Sequence, residues 1–290
     1  MRNKIVGIVV LMLVATAVVS ATKINGNENS QPTSVGAEVP VWEKGDSWTY
    51  EDHHSAFNYN TNGTPTGIFY LNCTITFTVT DTTGENYTVK TTTKNTEGRM
   101  TIGLFKVKLT RFTKLSEEYK VRKTDLANVQ NTYQIKGPVI WFRGKIGLPI
   151  PAQYHIIGEE LLTPPMTLMP FPLIAGTNGT LPQIHHTGSE KLSMYWGLVP
   201  IYDLPAFSFY TGPCTYTCEM ENITVPKGTY EAYNVSAIHN FGGAGHNYWR
   251  SYYVPEIGNY VKYSFNIDSD STGKPYAIRN FELVSTTYTP

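Results

Sequence analysis

The chain has 290 residues, and its 23 basic and 23 acidic side chains give a formal net charge of zero. This balance excludes the basic surface that binding to nucleic acid or to an anionic membrane surface would require. Charged residues make up only 16% of the chain and hydrophobic residues 41%, and the length is sufficient for one large domain or two smaller ones.

The N-terminus resembles a secretory signal. Arg2 and Lys4 form a short basic start, residues 5–21 are an uncharged apolar run, and small residues at 19–21 suit cleavage. The alternative is an uncleaved membrane anchor, for which this run is at the short limit. Residues 1–21 are therefore predicted to be a signal peptide, and the polar residues 22–40 a disordered linker. We expect a secreted, extracellular or cell-envelope protein with no membrane span after signal removal.

Short segments of alternating polarity follow from residue 41. In Leu71–Thr80 the odd positions are apolar or Cys, and the even positions are Asn or Thr. This period of two is typical of a strand with one face in a core and the other in water. The same pattern, bounded by turn residues, predicts strands at 67–80, 86–94, 101–112, 118–123 and 129–140.

A proline-rich stretch follows. Residues 149–172 contain six prolines, which predicts a long connection rather than a central strand. Further strands are predicted at 191–199 (alternatively a short helix from Ser189), 213–220, 229–239, 248–254, 258–267 and 277–284. No segment has helical periodicity with caps, so the predicted fold is all-β, mostly antiparallel, with at most short helices. Residues 41–165 and 166–290 are predicted to be either two similar β halves or parts of one continuous sheet.

Three segments of the second half carry a family resemblance: VPKGTYEAYNV (225–235), YWRSYYVPEIGNYVKYSF (248–265) and FELVSTTY (281–288). Together they look similar to a group of secreted, archaeal-type β-rich proteins without an assigned function, whose fold resembles that of periplasmic lipoprotein carriers. GDSWTY (45–50) and FPL-x-x-G (171–176) resemble the same group. The resemblance implies a strongly curved antiparallel sheet, an incomplete barrel, whose concave face holds an apolar chain or covers a partner.

The three cysteines lie on the apolar sides of predicted strands. Cys214 and Cys218 are about 13 Å apart if residues 214–218 form one straight strand, whereas a disulfide tolerates no more than about 7 Å between Cα atoms. Cys73 can therefore pair with only one of them, and we predict a Cys73–Cys218 disulfide with Cys214 buried and free. The alternative is a three-thiolate metal site, for which cysteines four positions apart on a strand have poor geometry.

Asn-x-Ser/Thr sequons predict a glycosylated surface, as expected of a secreted protein. There are six of them, at Asn62, Asn72, Asn86, Asn178, Asn222 and Asn234.

Motifs that carry catalysis are sparse. The adjacent pairs His53–His54 and His185–His186 occur in polar stretches and are predicted to be surface histidines in loops. If either pair were on a strand, its two side chains would face opposite ways and offer at most one ligand to a site. The chain contains no H-E-x-x-H or G-x-S-x-G motif. No catalytic residue and no cofactor is predicted.

His239 and His246 are the metal or acid–base candidates of this sequence. They flank Gly242–Gly243, and a hairpin at these glycines would bring the backbones of the two histidines together. The glycines alone are a sufficient reason for the turn, so the pair is equally consistent with a purely structural hairpin.

Three functional hypotheses remain open. A non-catalytic binder of lipid or another apolar ligand predicts an open, apolar concave face. A structural or adhesive component that contacts a cell-surface protein predicts a concave face filled with side chains. A hydrolase predicts a histidine and a carboxylate that converge in a pocket.

Overall fold

Antiparallel strands make up almost all of the protein. A computed structural model describes residues 36–59, 65–102, 105–110, 113–143, 148–196, 199–200, 207–240, 246–268 and 275–290. The first strands are β1 (Ser47–Tyr59), β2 (Pro65–Asp81), β3 (Asn86–Ile102), β4 (Phe105–Leu109), β5 (Lys114–Arg122), β6 (Asn128–Arg143), β7 (Leu148–Met166) and β8 (Thr177–Leu181). The remaining strands are β9 (Ile184–Trp196), β10 (Val199–Pro200), β11 (Phe207–Thr211), β12 (Cys214–Val225), β13 (Gly228–Asn240), β14 (His246–Val254), β15 (Asn259–Asp268) and β16 (Pro275–Thr286).

All the strands belong to one sheet, in the order β10-β9-β7-β6-β5-β3-β2-β1-β16-β15-β14-β13-β12-β8, with β11 paired to β9 and β4 to β3. The first strand, β1, thus lies in the middle of the sheet, where it pairs with β2 on one side and with β16 on the other. Strands from residues 41–165 and 166–290 are joined in this single sheet. The prediction of an all-β, antiparallel fold is confirmed. The predicted signal peptide lies outside the described residues.

Strands from opposite ends of the strand order lie close together in space. β8 and β9 are twelve steps apart in the strand order, which in a flat sheet would correspond to about 58 Å. Only residues 182 and 183 connect β8 to β9, and a connection of this length spans at most about 11 Å. The sheet is therefore strongly bent. It is not closed, because no ladder joins β8 to β10 or β11 in the part of the chain that the structure describes.

One face of the sheet, here called the inner face, carries the hydrophobic core. Its alternation is clear in β5, where Leu115, Glu117, Tyr119 and Val121 are buried and the residues between them are not. The centre of this core is aromatic, and its least exposed large side chains include Trp48, Tyr50, Tyr119, Tyr253 and Phe281. The opposite face, here called the outer face, is largely polar.

The segment before β1 also packs on the inner face. Trp42 is buried, packs against Trp48 with tilted rings at 5.0 Å between centroids, and donates its indole N–H to the carbonyl oxygen of Gly258 over 2.8 Å. Ala37 forms an antiparallel bridge with Leu173 through two 2.8 Å backbone hydrogen bonds. The disordered linker predicted for residues 22–40 is therefore wrong at residues 36–40, which are packed; residues 22–35 lie outside the described ranges.

The proline-rich stretch is not the long connection that its composition predicts, because most of it is strand β7. The backbone ladder between β7 and β9 covers only Gln153–Thr163. Pro149 and Pro151 precede this ladder and Pro164 and Pro165 follow it, so these prolines stand where β7 lacks a partner on the β9 side. A residue without an N–H is tolerated at such positions. Pro170 and Pro172 lie in the connection that leads to β8.

Two other local predictions also differ from the structure. The strand predicted at 101–112 is divided between the end of β3 and the separate strand β4. The helical alternative from Ser189 is wrong, since Ser189 lies within β9. The helical element of the described chain is a single 3-10 turn, Pro255–Ile257, which ends at Gly258 with φ of 65°. Nowhere in the described ranges is there a helix with the length and apolar character needed to cross a membrane.

Candidate functional site

A groove of about 650 Å³ crosses five neighbouring strands, β3, β5, β6, β7 and β9. It is bounded by two rows of residues. The first row is Lys90, Glu118, Thr132, Glu159 and Ser189, and the second row is Thr92, Ser116, Gln134, Ile157 and Lys191. Most of these residues are exposed. The lining residues that alternate with them along the strands are buried: Thr91, Glu117, Tyr133, Gly158 and Glu190. The groove therefore opens on the outer face, and we call it the transverse groove.

The strand register explains why these residues form continuous rows. Glu118 lies opposite Lys90 on one side and opposite Thr132 on the other, and Thr132 lies opposite Glu159. Residues directly opposite each other in an antiparallel pair share a face of the sheet. The first row is held by a Lys90–Glu118 ion pair at 3.1 Å and a hydrogen bond of 3.2 Å from Ser189 Oγ to Glu159 Oε1.

The strands β3 and β5 separate at one end of the groove. Their backbone ladder stops at Lys90–Glu118, and two threonine hydroxyls replace it. The amide of Glu117 donates to Thr91 Oγ1 over 2.9 Å, and the amide of Leu115 donates to Thr93 Oγ1 over 3.2 Å. A side chain placed between two backbones holds them farther apart than a direct hydrogen bond does, so the sheet opens at this point.

Beneath the groove, on the inner face, lies a buried acidic cluster. Tyr133 lies across Gly158, where a Cβ would be only 2.1 Å from the ring carbon Cζ of Tyr133. Burial raises the pKa of Tyr133, and the nearby carboxylates of Glu190, Glu160 and Glu117 raise it further. Burial also raises the pKa of Glu190 to about 8. Neither Tyr133 Oη nor Glu190 Oε1 has a hydrogen-bond partner among the described residues.

A chain of buried polar side chains continues from this cluster. His186 Nδ1 and Glu160 Oε1 are 2.7 Å apart, Asn131 Nδ2 donates to Glu160 Oε2 over 3.2 Å, and Asn128 Nδ2 donates to Asn131 Oδ1 over 2.6 Å. The His186–Glu160 pair is the convergence of histidine and carboxylate that a hydrolase would need. Both residues are buried, however, and neither is among the residues that line the transverse groove.

An ion pair lies in the core at the centre of the sheet. Arg279 donates to both carboxylate oxygens of Asp52, over 3.1 and 2.7 Å, and both residues are at most 1% exposed. His54 packs against Phe69 nearby, and burial, together with the charge of Arg279, lowers its pKa well below the ordinary value. Asp52 and His54 therefore lie together with a cation, but without access to solvent.

The histidine pairs predicted to lie in loops are on strands instead, His53–His54 in β1 and His185–His186 in β9. Within each pair one residue faces the core and the other faces out. His53 Nδ1 lies 2.9 Å from Asn72 Oδ1, and the ring of His185 stacks on Tyr210 at 4.1 Å. Neighbouring histidines on opposite faces of a strand do not act on the same site.

The candidate pair His239 and His246 lies at the β13–β14 hairpin. His239 is paired with Asn247, and Asn240 with His246, so the two histidines are offset by one position. The β13–β14 ladder brings the two backbones close, as the sequence suggests, and a shared metal or acid–base site at His239 and His246 stays a prediction. Among the residues described, no group of three or more His, Cys, Asp or Glu side chains is arranged to hold a metal ion.

All three cysteines are buried, as predicted, but they are free thiols. The predicted Cys73–Cys218 disulfide is wrong, because six strand-to-strand steps separate β2 from β12 and the Cys73 thiol instead lies 3.9 Å from Asp52 Oδ2. Burial raises the pKa of all three thiols, to about 12 for Cys214 and about 11 for Cys218. Protonated, buried thiols are poor nucleophiles and poor metal ligands.

Comparison with protein-family models, with curated proteins and with solved structures finds no significant match to this chain. The resemblance to lipoprotein carriers therefore stays a prediction, and function must be argued from the site.

The transverse groove offers hydroxyls, an amide and charges of both signs, with Ile157 as an exposed apolar side chain. Such a lining suits the binding of a polar, extended chain. The sequence pattern gave no signal for the groove, because it depends on which strands are neighbours. It did contain a signal for the buried acid beneath it, since Glu117 occupies an apolar position in the alternation of residues 115–121.

Proposed function

We propose that the protein is a secreted, non-catalytic component of a cell surface, with a structural or adhesive role, that binds a partner protein through the transverse groove. The observation that carries this proposal is that the apolar side chains of the described inner face are buried against one another in one core. Secretion rests on the signal-like residues 1–21 of the sequence.

The packing of the inner face supports a structural role over lipid transport. Aromatic rings of the neighbouring strands β1, β2 and β16 pack against one another on it, as in the Tyr50, Phe77 and Phe281 group, whose centroids are 5.7 to 6.1 Å apart. An apolar cavity beside Leu71 and Cys73 has a volume of only about 10 Å³. An acyl chain or similar ligand needs a pocket of roughly 300 Å³ or more.

The chemistry of the groove supports binding rather than catalysis. None of the described lining residues is a histidine or cysteine, so its serine and threonine hydroxyls lack the neighbouring imidazole that activates such a nucleophile in a Ser–His pair. The histidines that do meet carboxylates or an arginine, His186 and His54, are buried in the core.

A protein partner suits the lining better than a glycan does. Among its described residues the lining has no exposed aromatic ring, the usual platform for a sugar, since Tyr133 is 3% exposed. It does contain Lys90, Glu118 and Glu159, whose charges of both signs match those of a polypeptide, together with the apolar Ile157. Interfaces that combine an apolar centre with a polar rim are typical of protein–protein contacts.

Binding of the purified chain to cells that lack it tests this proposal. Ile157→Arg replaces an exposed apolar side chain of the groove with a charge and should weaken saturable binding by about tenfold or more. Val284→Arg is the matched control, because Val284 is also a partly exposed apolar residue, at 37%, but lies outside the groove. Equal binding by the two variants would refute the groove as the site. Acyl lipid co-purifying in stoichiometric amount would instead support the lipid-carrier hypothesis.

A further inference from the structure

The sheet has a free edge formed by β8 and part of β12. β8 is the last strand of the order, and it pairs with β12 only from Cys214 to Cys218. From Glu219 to Val225, β12 pairs with β13 alone. Along this stretch, the backbone groups on the other side have no strand partner within the described ranges. An edge of this kind is a template for pairing with a strand of a second chain.

Two of the six sequons lie on this edge. Asn178 is the second residue of β8, and Asn222 lies in the part of β12 that β8 does not cover. Both asparagines and their sequon threonines, Thr180 and Thr224, are exposed.

The other described sequons are poorer acceptors. Asn234 is 9% exposed, its Nδ2 donates to Glu221 Oε2 over 2.7 Å and its Oδ1 accepts from Ser236 Oγ over 3.0 Å. Asn72 is half-buried, and its amide is engaged with Tyr70 and His53. Asn86 is half-buried at the start of β3. Asn62 lies outside the described residues.

We propose that N-linked glycans on Asn178 and Asn222 cover the free edge of the sheet and prevent its pairing with a second copy of the chain. The modification transfers an oligosaccharide from a polyprenyl-phosphate-linked donor. A bond forms between Nδ2 and the first sugar carbon, the bond from that carbon to the phosphate oxygen breaks, and Nδ2 loses a proton. The released products are the proton and the polyprenyl phosphate or pyrophosphate. Attached sugars are bulky and hydrated, so they obstruct the approach of another strand.

The acidic residues Glu219 and Glu221 lie on the same uncovered stretch of β12 and are exposed. Charges on an edge strand also oppose edge-to-edge pairing. The glycans thus add to the protection against edge-to-edge pairing that these two charged side chains provide.

Expression of the full chain in an N-glycosylating host, followed by glycopeptide mass spectrometry, measures the occupancy of each sequon. Asn178 and Asn222 should be modified in most molecules and Asn234 should not. High occupancy at Asn234, or unmodified Asn178 and Asn222, overturns the proposal.

Light scattering after size-exclusion chromatography then tests the role of the glycans. The Asn178→Gln/Asn222→Gln variant should show roughly five-fold more oligomer than the unchanged protein, because its edge is exposed. Asn72→Gln/Asn86→Gln is the control and should remain unchanged. If the first variant does not fold, Thr180→Ala/Thr224→Ala removes the same two sequons and leaves both asparagines in place. An unglycosylated but monomeric variant contradicts the proposed role.

Discussion

Replacement of Glu190 by glutamine should change how the stability of the protein depends on pH. Glu190 is 6% exposed, its Oε1 has no hydrogen-bond partner among the described residues, and it lies near Tyr133 in the buried acidic cluster. Burial raises its pKa from 4.5 to about 8. Glutamine keeps the shape of this side chain and removes its titration.

The sign of the effect follows from the direction of the shift. Because the folded-state pKa is raised, the contribution of Glu190 to the free energy of unfolding is most favourable below pH 4.5 and is lost as the pH rises toward 8. At pH 7 ionisation of Glu190 lowers the free energy of the unfolded chain, whereas in the folded chain Glu190 stays mostly protonated. With 1.36 kcal/mol for each pH unit above 4.5, the folded state is about 3 kcal/mol less favoured at pH 7 than at pH 4.

Urea unfolding at several pH values measures this effect. The difference in the free energy of unfolding between Glu190→Gln and the unchanged protein should shift in favour of the variant by about 3 kcal/mol from pH 4 to pH 7. For a chain of this size, that corresponds to roughly 6 °C in Tm. Glu159→Gln, an exposed position on the neighbouring strand, is the control and should change stability by less than about 0.5 kcal/mol at either pH.

Parallel pH profiles for Glu190→Gln and the unchanged protein would refute the reasoning. That outcome would mean that Glu190 ionises in the folded protein about as readily as in the unfolded chain, and is therefore solvated or paired. A profile in which only the control variant diverges would place the titrating group on the outer face instead.

Three further results are expected. Gly158→Ala should lower the free energy of unfolding by about 1–3 kcal/mol, because its Cβ would lie 2.1 Å from Tyr133; the loss should shrink in a Tyr133→Leu background, and an equal loss would argue against the clash. Arg279→Leu should lower the free energy of unfolding, measured by chemical denaturation, by about 3–5 kcal/mol, because it leaves the buried Asp52 carboxylate unpaired. The double variant Asp52→Leu/Arg279→Leu should lose less stability than Arg279→Leu alone, and a larger loss would contradict this explanation. A thiol reagent should label none of the three cysteines in the native protein and all three after unfolding without reductant; only one labelled thiol after unfolding would indicate a disulfide.

Local alternation in the sequence was enough to locate most of the strands and their buried faces. In Leu71–Thr80 the odd positions are buried and the even ones are not, as the polarity pattern predicts. The same alternation places Glu117 and Arg279 on buried faces, since each stands at an apolar position of its strand. A period of two is a property of a single strand, so it can be read without knowledge of the neighbours.

The strand pairing was decided only by the tertiary structure. Asp52 and Arg279 are 227 positions apart in sequence, and they meet because β1 pairs with β16. The transverse groove forms only because β7 lies between β6 and β9. The sequence of β7 is rich in proline, and its composition predicts a connection instead of a strand. The free edge at Asn178 and Asn222 likewise depends on how far β8 extends along β12. Alternation fixes which face of a strand is apolar, but many strands have compatible faces, so the choice of neighbours comes from packing of the whole chain.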